Sequence, residues 1–198
     1  MKTSTLITVI FLLGFAGFGC DVSTEKYVTT TQHDDFLGFT NKVMWGNTLG
    51  EPFGTRFRLD LDIASVRQDN DSLPEYFLTA VSQGSGSSDS VVIEQGPSLI
   101  LLVDGVRYEF QTADPGGNRM MKQIAAEHFG SLLDSYGDQS PELAYYQTSL
   151  DTLIAIASAD SIRVKLFGLN RSREAFFTKL NFAHFRDFLN LRSTRPKK

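Results

Sequence analysis

Apolar and polar residues alternate most regularly between Arg56 and Ile63. Phe57, Leu59, Leu61 and Ile63 share one parity, and Arg56, Arg58, Asp60 and Asp62 share the other. A repeat of two is the repeat of a β-strand, because successive side chains leave the backbone on opposite sides. The pattern predicts a strand with one apolar face and one wet face, on which the arginines neutralise the aspartates. Val43 to Trp45 predicts an earlier short strand, and Tyr76 to Val81 a later one, after a turn over Gln68 to Pro74. Gln83 to Ser88 reads as a flexible loop, and Val91 to Glu94 and Ser98 to Val103 as strands parted by Gln95-Gly96-Pro97. Asp104-Gly105 then supplies the strongest turn signal, since a two-residue hairpin of type I′ needs positive φ at both positions. Val106, Tyr108 and Phe110 form the apolar parity of the returning strand.

The repeat changes after Asp114-Pro115-Gly116-Gly117. Asn118 is placed to cap a helix reaching about Tyr136, with Met121, Ile124, Ala125, His128, Leu132 and Tyr136 along one face. Tyr145 to Thr148 predicts a short strand, and Ser149 a cap for a second helix carrying Leu150, Leu153, Ile154 and Ala157. Ser161 to Phe167 returns to strand, with Ile162, Val164 and Leu166 inward, and Glu174 to Leu180 is a last strand. Asn181 is placed to cap a final helix bearing Phe182, Phe185, Phe188 and Leu189. Strands followed by mixed strands and helices predict an α+β fold, an antiparallel β-sheet meander with about three helices packed on one face.

The N-terminus has a different pattern. Met1-Lys2 is a short positive segment, Leu6 to Phe18 an uncharged and mostly apolar run, and Gly19 a small residue before Cys20. These are the parts of a secretory signal. A permanent membrane helix needs about 20 apolar residues, and this run is shorter and ends at Asp21. Cys20 is the only cysteine, so it has no partner for an internal disulfide. Gly17-Phe18-Gly19-Cys20 resembles the lipobox of bacterial lipoprotein precursors, with Gly17 at the usual Leu position and Phe18 at a position where small residues are common. The resemblance implies cleavage before Cys20, a diacylglycerol thioether on its sulfur and acylation of the new amine, palmitate being a typical chain. Two or more acyl chains anchor a protein stably where one does not. Helix Ser149–Ser158, strand Ser161–Phe167 and helix Phe182–Leu191 resemble parts of other uncharacterised bacterial lipoproteins and secreted proteins, a likeness that brings no activity.

The expected organisation is therefore a signal over residues 1–19, a lipidated cysteine and flexible tether over 20–35, one domain over 36–191, and a basic tail over 192–198. The expected location is the bacterial cell envelope, lipid-anchored and facing the periplasm at the inner or the outer membrane.

Charge is uneven within this plan. Residues 20–162 hold 8 basic and 21 acidic side chains, and residues 163–198 hold 10 basic and 2 acidic. Either the two parts neutralise each other inside one fold or the basic part meets an anionic partner. Arg186, Arg192, Arg195, Lys197 and Lys198 are the candidates for contact with an anionic surface, with solubility as their alternative role.

Candidate chemistry is sparse. His33-Asp34-Asp35 has metal-ligand residue types, but neighbours on an extended chain point apart. Asp69-Asn70-Asp71 lacks the Gly and the closing Glu of a calcium loop and reads as a turn. Asp60 and Asp62 share a face with Arg56 and Arg58, which reads as a self-neutralised surface. His128 and His184 stand singly on predicted helices, and Gly84 and Gly86 lack a phosphate-loop setting. Asn170-Arg171-Ser172 matches a glycosylation acceptor by coincidence in a bacterial protein. No metal, cofactor, catalytic residue or nucleic-acid partner is expected. The expected function is a non-enzymatic, membrane-anchored module that binds an envelope protein, polymer or lipid. The alternative is an envelope hydrolase with its site assembled from distant residues.

Overall fold

In chain order the strands are β1 (Val28–Asp34), β2 (Phe39–Trp45), β3 (Phe57–Gln68), β4 (Glu75–Gly84), β5 (Leu99–Val103), β6 (Val106–Phe110) and β7 (Glu142–Thr148). Helix α1 (Leu150–Ser158), strands β8 (Ile162–Phe167) and β9 (Ser172–Phe176), and helix α2 (Lys179–Phe188) follow. This is a computed structural model, and it describes residues 27–52, 57–84, 91–113 and 142–191. Every strand pair is antiparallel, in a five-stranded sheet ordered β1-β2-β3-β4-β7 and a four-stranded sheet ordered β6-β5-β8-β9.

This corrects the expected α+β meander with about three helices on one face. Strand accounts for 54% of the described residues, and two helices are found among them. The expected helix from Asn118 to Tyr136 lies outside the described residues, as do Cys20 and residues 192–198. The physical reason is that β5 and β8 do not extend the first sheet. Leu99, Leu101, Val103, Ile162, Val164 and Leu166 are fully or almost fully buried in the same core as Leu59, Leu61, Ile63 and Leu78 of the first sheet. Two sheets, each with an apolar face, thus share one interior, and α1 and α2 add Leu153, Ile156, Phe182, Phe185 and Phe188 to it. Parity along a strand tells which side chains go inward; it does not tell which sheet the strand joins.

A second correction concerns β3. Its even-numbered face is not wet: Asp60, Asp62, Ala64 and Val66 are all buried. The five-stranded sheet has a second apolar cluster on this face, of Phe39, Val43, Ala64, Val66, Phe77 and Tyr145. The main core lies on the opposite face.

Ser149 caps α1, its hydroxyl accepting from the Thr152 N–H at 3.1 Å. β9 ends at Phe176 instead of Leu180. Thr178, not Asn181, is the cap of α2; Asn181 sits at the third helical position, and its side chain reaches back to the Thr178 N–H at 2.7 Å. That reciprocal arrangement satisfies two helix-end donors at once. β1 occupies residues 28–34, within the stretch read as tether.

The Asp104-Gly105 turn joins β5 to β6 with φ of 49° and 86°, the left-handed values a type I′ turn demands. Replacing Gly105 by Val puts a β-branched residue into that conformation, which costs about 1–2 kcal/mol. Urea unfolding should show this loss; an unchanged midpoint would mean the turn tolerates what its backbone forbids.

Candidate functional site

Two groups of polar side chains stand out, one inside the molecule and one at its edge. The inner group begins where β2 ends. Gly46, with φ of 78°, turns the chain so that Asn47 to Gly50 continues along β3, with Leu61 N–H donating to Asn47 O at 3.2 Å and Leu49 N–H to Leu59 O at 2.9 Å. The Asn47 side chain then enters the core. Its Nδ2 donates to Leu61 O at 2.7 Å, and its Oδ1 accepts from Asn181 Nδ2 at 2.8 Å. His184 Nδ1 lies 2.9 Å from the same Oδ1. Because Asn47 Nδ2 is already donating, Oδ1 is the acceptor, which places the proton of neutral His184 on Nδ1. Burial holds the His184 pKa below its ordinary value, against the pull of Asp187. Tyr27 stacks on this ring at 3.8 Å with an interplanar angle of 6°. The network therefore fastens α2 and the start of β1 onto the first sheet.

Asp62 belongs to the same construction from the other side of the sheet. Its Oδ1 accepts the Asn47 N–H at 2.9 Å. Burial raises its pKa well above the ordinary carboxylate range, helped by the charge of Asp60 and opposed by the N–H groups of Asn47 and Gly46 and by Arg58. Asp60 holds Arg58 in a two-point ion pair, Nε to Oδ1 at 2.9 Å and Nη2 to Oδ2 at 2.8 Å. Asp60 and Asp62, a surface pair by the alternation of β3, are interior. Their contacts are those of structural groups, which answer backbone donors and a guanidinium.

The outer group lies around the β1–β2 hairpin. Asp34 Oδ1 accepts the N–H groups of Phe36 and Leu37, each at 2.9 Å, and Gly38 N–H donates to Asp34 O at 2.8 Å. A short Asp side chain bonding forward to its own turn fixes the turn's shape. The turn carries Phe36 fully into solvent, at 100% exposure. Beside it opens a cleft of about 360 Å³ lined by Gln32, His33, Asp34, Asp35, Phe36, Phe39 and Asn41. Gln32 and Asn41 are directly opposed in the register, as are Asp34 and Phe39. Asn41 is 4% exposed, and its Oδ1 has no hydrogen-bond partner. An unpaired buried polar group costs about 1–3 kcal/mol, so this amide is held against the interest of stability.

His33 joins three residues at this hairpin. Its Nδ1 is 3.0 Å from Thr40 Oγ1 and 3.8 Å from Asp69 Oδ1, and its Nε2 is 3.1 Å from Asp35 Oδ1. The order hydroxyl, imidazole, carboxylate is that of a nucleophile with its base and orienting group. Here, however, the Asp35 side chain is 91% exposed and the His33 side chain 44% exposed. Water screens such contacts, so the arrangement is not held rigidly. No group of three metal-ligating side chains converges among the described residues.

Of the residues proposed for an anionic surface, Arg186 is described. Its guanidinium donates to Ala157 O at 3.1 Å, in the last turn of α1. A cation there meets the negative end of the helix dipole, so Arg186 ties the two helices together. Arg192, Arg195, Lys197 and Lys198 lie outside the described residues, as does His128. The outer face of the four-stranded sheet holds a smaller hollow of about 200 Å³. Its charges are largely answered locally: Glu174 takes Lys165 at 3.1 Å and Arg163 at 3.3 Å, and Glu109 takes Arg107 at 2.6 Å.

The sequence points to His33-Asp34-Asp35 at this hairpin as metal-ligand residue types, and not to the cleft they line. Its signal was Asn41, a polar residue on the parity of Phe39 and Val43, whose significance depends on both faces of the sheet being covered. No family model, curated protein or solved structure matches the chain.

Proposed function

We propose that the chain is the precursor of a bacterial lipoprotein, anchored in the cell envelope through acyl chains on Cys20, whose folded part is a non-enzymatic binding module. The observation that carries this reading is the N-terminal segment: a lysine, an apolar run from Leu6 to Phe18, and Gly19 directly before a lone cysteine. No helix among the described residues is long and apolar enough to cross a membrane.

The position of Tyr27 supports a particular form of this anchoring. Its ring is stacked on His184 and its hydroxyl lies 3.4 Å from His184 O, so the chain is already fastened to the domain at this residue. Seven residue steps separate Cys20 from Tyr27. An extended chain spans at most about 3.3–3.6 Å per residue, or about 25 Å over that length. A lipid on Cys20 therefore keeps the domain next to the bilayer. Partners are components of the envelope within that reach: protein, polymer or lipid.

The test is metabolic labelling with a tagged fatty acid in a bacterial host. The wild type is expected to carry label and to sediment with membranes. Cys20→Ser is expected to lose both. Label retained by Cys20→Ser, or never acquired by the wild type, removes the anchor.

A further inference from the structure

The hairpin cleft combines four features that folding alone does not explain. The Asn41 amide is buried at 4% exposure, borders the cleft, and its Oδ1 is unpaired. Gln32, a second side-chain amide, stands opposite it in the β1–β2 register and also lines the cleft. Phe36 presents its whole ring to water from a turn that Asp34 holds in shape. The charged side chains lining the cleft are carboxylates, Asp34 and Asp35, with no lysine or arginine.

We infer that this cleft binds a saccharide unit of an envelope glycan, with the Asn41 and Gln32 amides on its hydroxyl or acetamido groups and the Phe36 ring against its apolar face. A primary amide offers donors and an acceptor in one plane, which matches a ligand that carries both on neighbouring atoms. Sugar hydroxyls and acetamido groups are such ligands, and their C–H faces suit an exposed aromatic ring. The carboxylates accept from further hydroxyls and disfavour phosphate or other anionic groups, so the sugar is neutral or amino-substituted. The unpaired Asn41 Oδ1 is an acceptor and calls for a ligand donor, which a sugar hydroxyl or acetamido N–H supplies; an ammonium also donates, so a simple organic cation is the competitor that the test sets against the sugar. The volume of about 360 Å³ falls within the range of small-ligand sites.

The inference rests on the reading of the domain as a binding module and is independent of the lipid at Cys20. Its test uses the full chain, solubilised in detergent, titrated calorimetrically with tri-N-acetylchitotriose and separately with spermidine. Saturable binding of the saccharide in the micromolar to low millimolar range is expected, weakened at least tenfold by Phe36→Ala. Asn41→Leu is expected to abolish binding and to raise the melting temperature, because it replaces an unpaired buried amide by an apolar group of similar size. Phe36→Ala keeps the test valid should Asn41→Leu fold poorly, since the ring it removes is in solvent. Absence of saccharide binding, saccharide binding unchanged in both variants, or saturable spermidine binding alone each overturns the site. Cross-linking of the anchored protein in its own envelope tests the module reading separately: a specific partner captured equally by wild type and Phe36→Ala leaves the module and removes the sugar site.

Discussion

Phe185→Ala is expected to lower the folding free energy by about 3–5 kcal/mol, as large-to-small changes at buried aromatic positions do. Phe185 is fully buried at 0% exposure and lies edge-on to Phe177, with ring centroids 5.2 Å apart at 61°. Phe182 approaches the same Phe177 ring at 5.2 Å. The three rings join α2 to the end of β9, with Phe177 between the other two, and removal of the Phe185 ring leaves a void that the capped helix cannot close by sliding. α2 is held at Thr178 by its capping box and along its length by Asn47 contacts and by Lys42, which donates to Phe188 O. A domain of this size is stable by about 5–15 kcal/mol, so the variant is expected near the limit of folding at 37 °C. Urea unfolding followed by circular dichroism measures the loss. Phe36→Ala, which removes an equal ring from solvent, is the control and is expected to leave the midpoint unchanged. A Phe185→Ala midpoint equal to the wild type would mean that α2 is not docked as described.

Much of the secondary structure was legible because period and turn chemistry are local. The inward parity of Ile162, Val164 and Leu166, the Ser149 cap and the Asp104-Gly105 hairpin are each written in a few adjacent residues, and each is found in place. What was not legible depends on residues far apart in the chain. Alternation in β3 predicts one dry and one wet face, because charged residues at every second position ordinarily face water. The opposite face is covered instead, and Asp60 and Asp62 are interior through contacts with Arg58 and with the backbone at Asn47. The second sheet was missed for the same reason: nothing within Leu99–Val103 distinguishes a strand pairing with β8 from one that continues the first sheet. The candidate site shares this origin. Asn41 in an apolar parity is a visible irregularity, but its meaning requires knowing that its surroundings are buried and that Gln32 stands opposite. Asn181 has a subtler lesson, since Thr178 three residues earlier is an equally good cap by type, and the capping box uses both.

The second large effect is expected at Asp62, and its sign depends on pH and on the replacement. Burial, reinforced by the charge of Asp60, raises the folded pKa of Asp62 above that of the unfolded chain, where an aspartate titrates near about 3.9. Between the unfolded and the folded value the native state holds a proton that the unfolded state has released. Stability from this residue is therefore present below the unfolded pKa, falls as pH rises through the window, and levels off above the folded pKa. Asp104 acts in the opposite sense. Its carboxylate accepts from the Ser161 and Asp160 N–H groups, its pKa is lowered, and its contribution is lost as pH falls. Asp62→Asn retains an oxygen for the Asn47 N–H and carries no charge, so it is expected to unfold with a flatter pH profile and to exceed the wild type in stability at pH 8. Asp62→Leu leaves the buried N–H of Asn47 without its acceptor, at about 1–3 kcal/mol, removes the partner of the half-buried Gly46 N–H as well, and is expected to be destabilised at every pH. Urea midpoints for the three proteins at pH 5 and pH 8 separate charge from hydrogen bonding. A wild-type pH slope in Asp62→Asn would remove Asp62 as the titrating group, and a Leu variant as stable as the Asn variant would show that the chain reversal at Gly46 does not depend on its carboxyl oxygens.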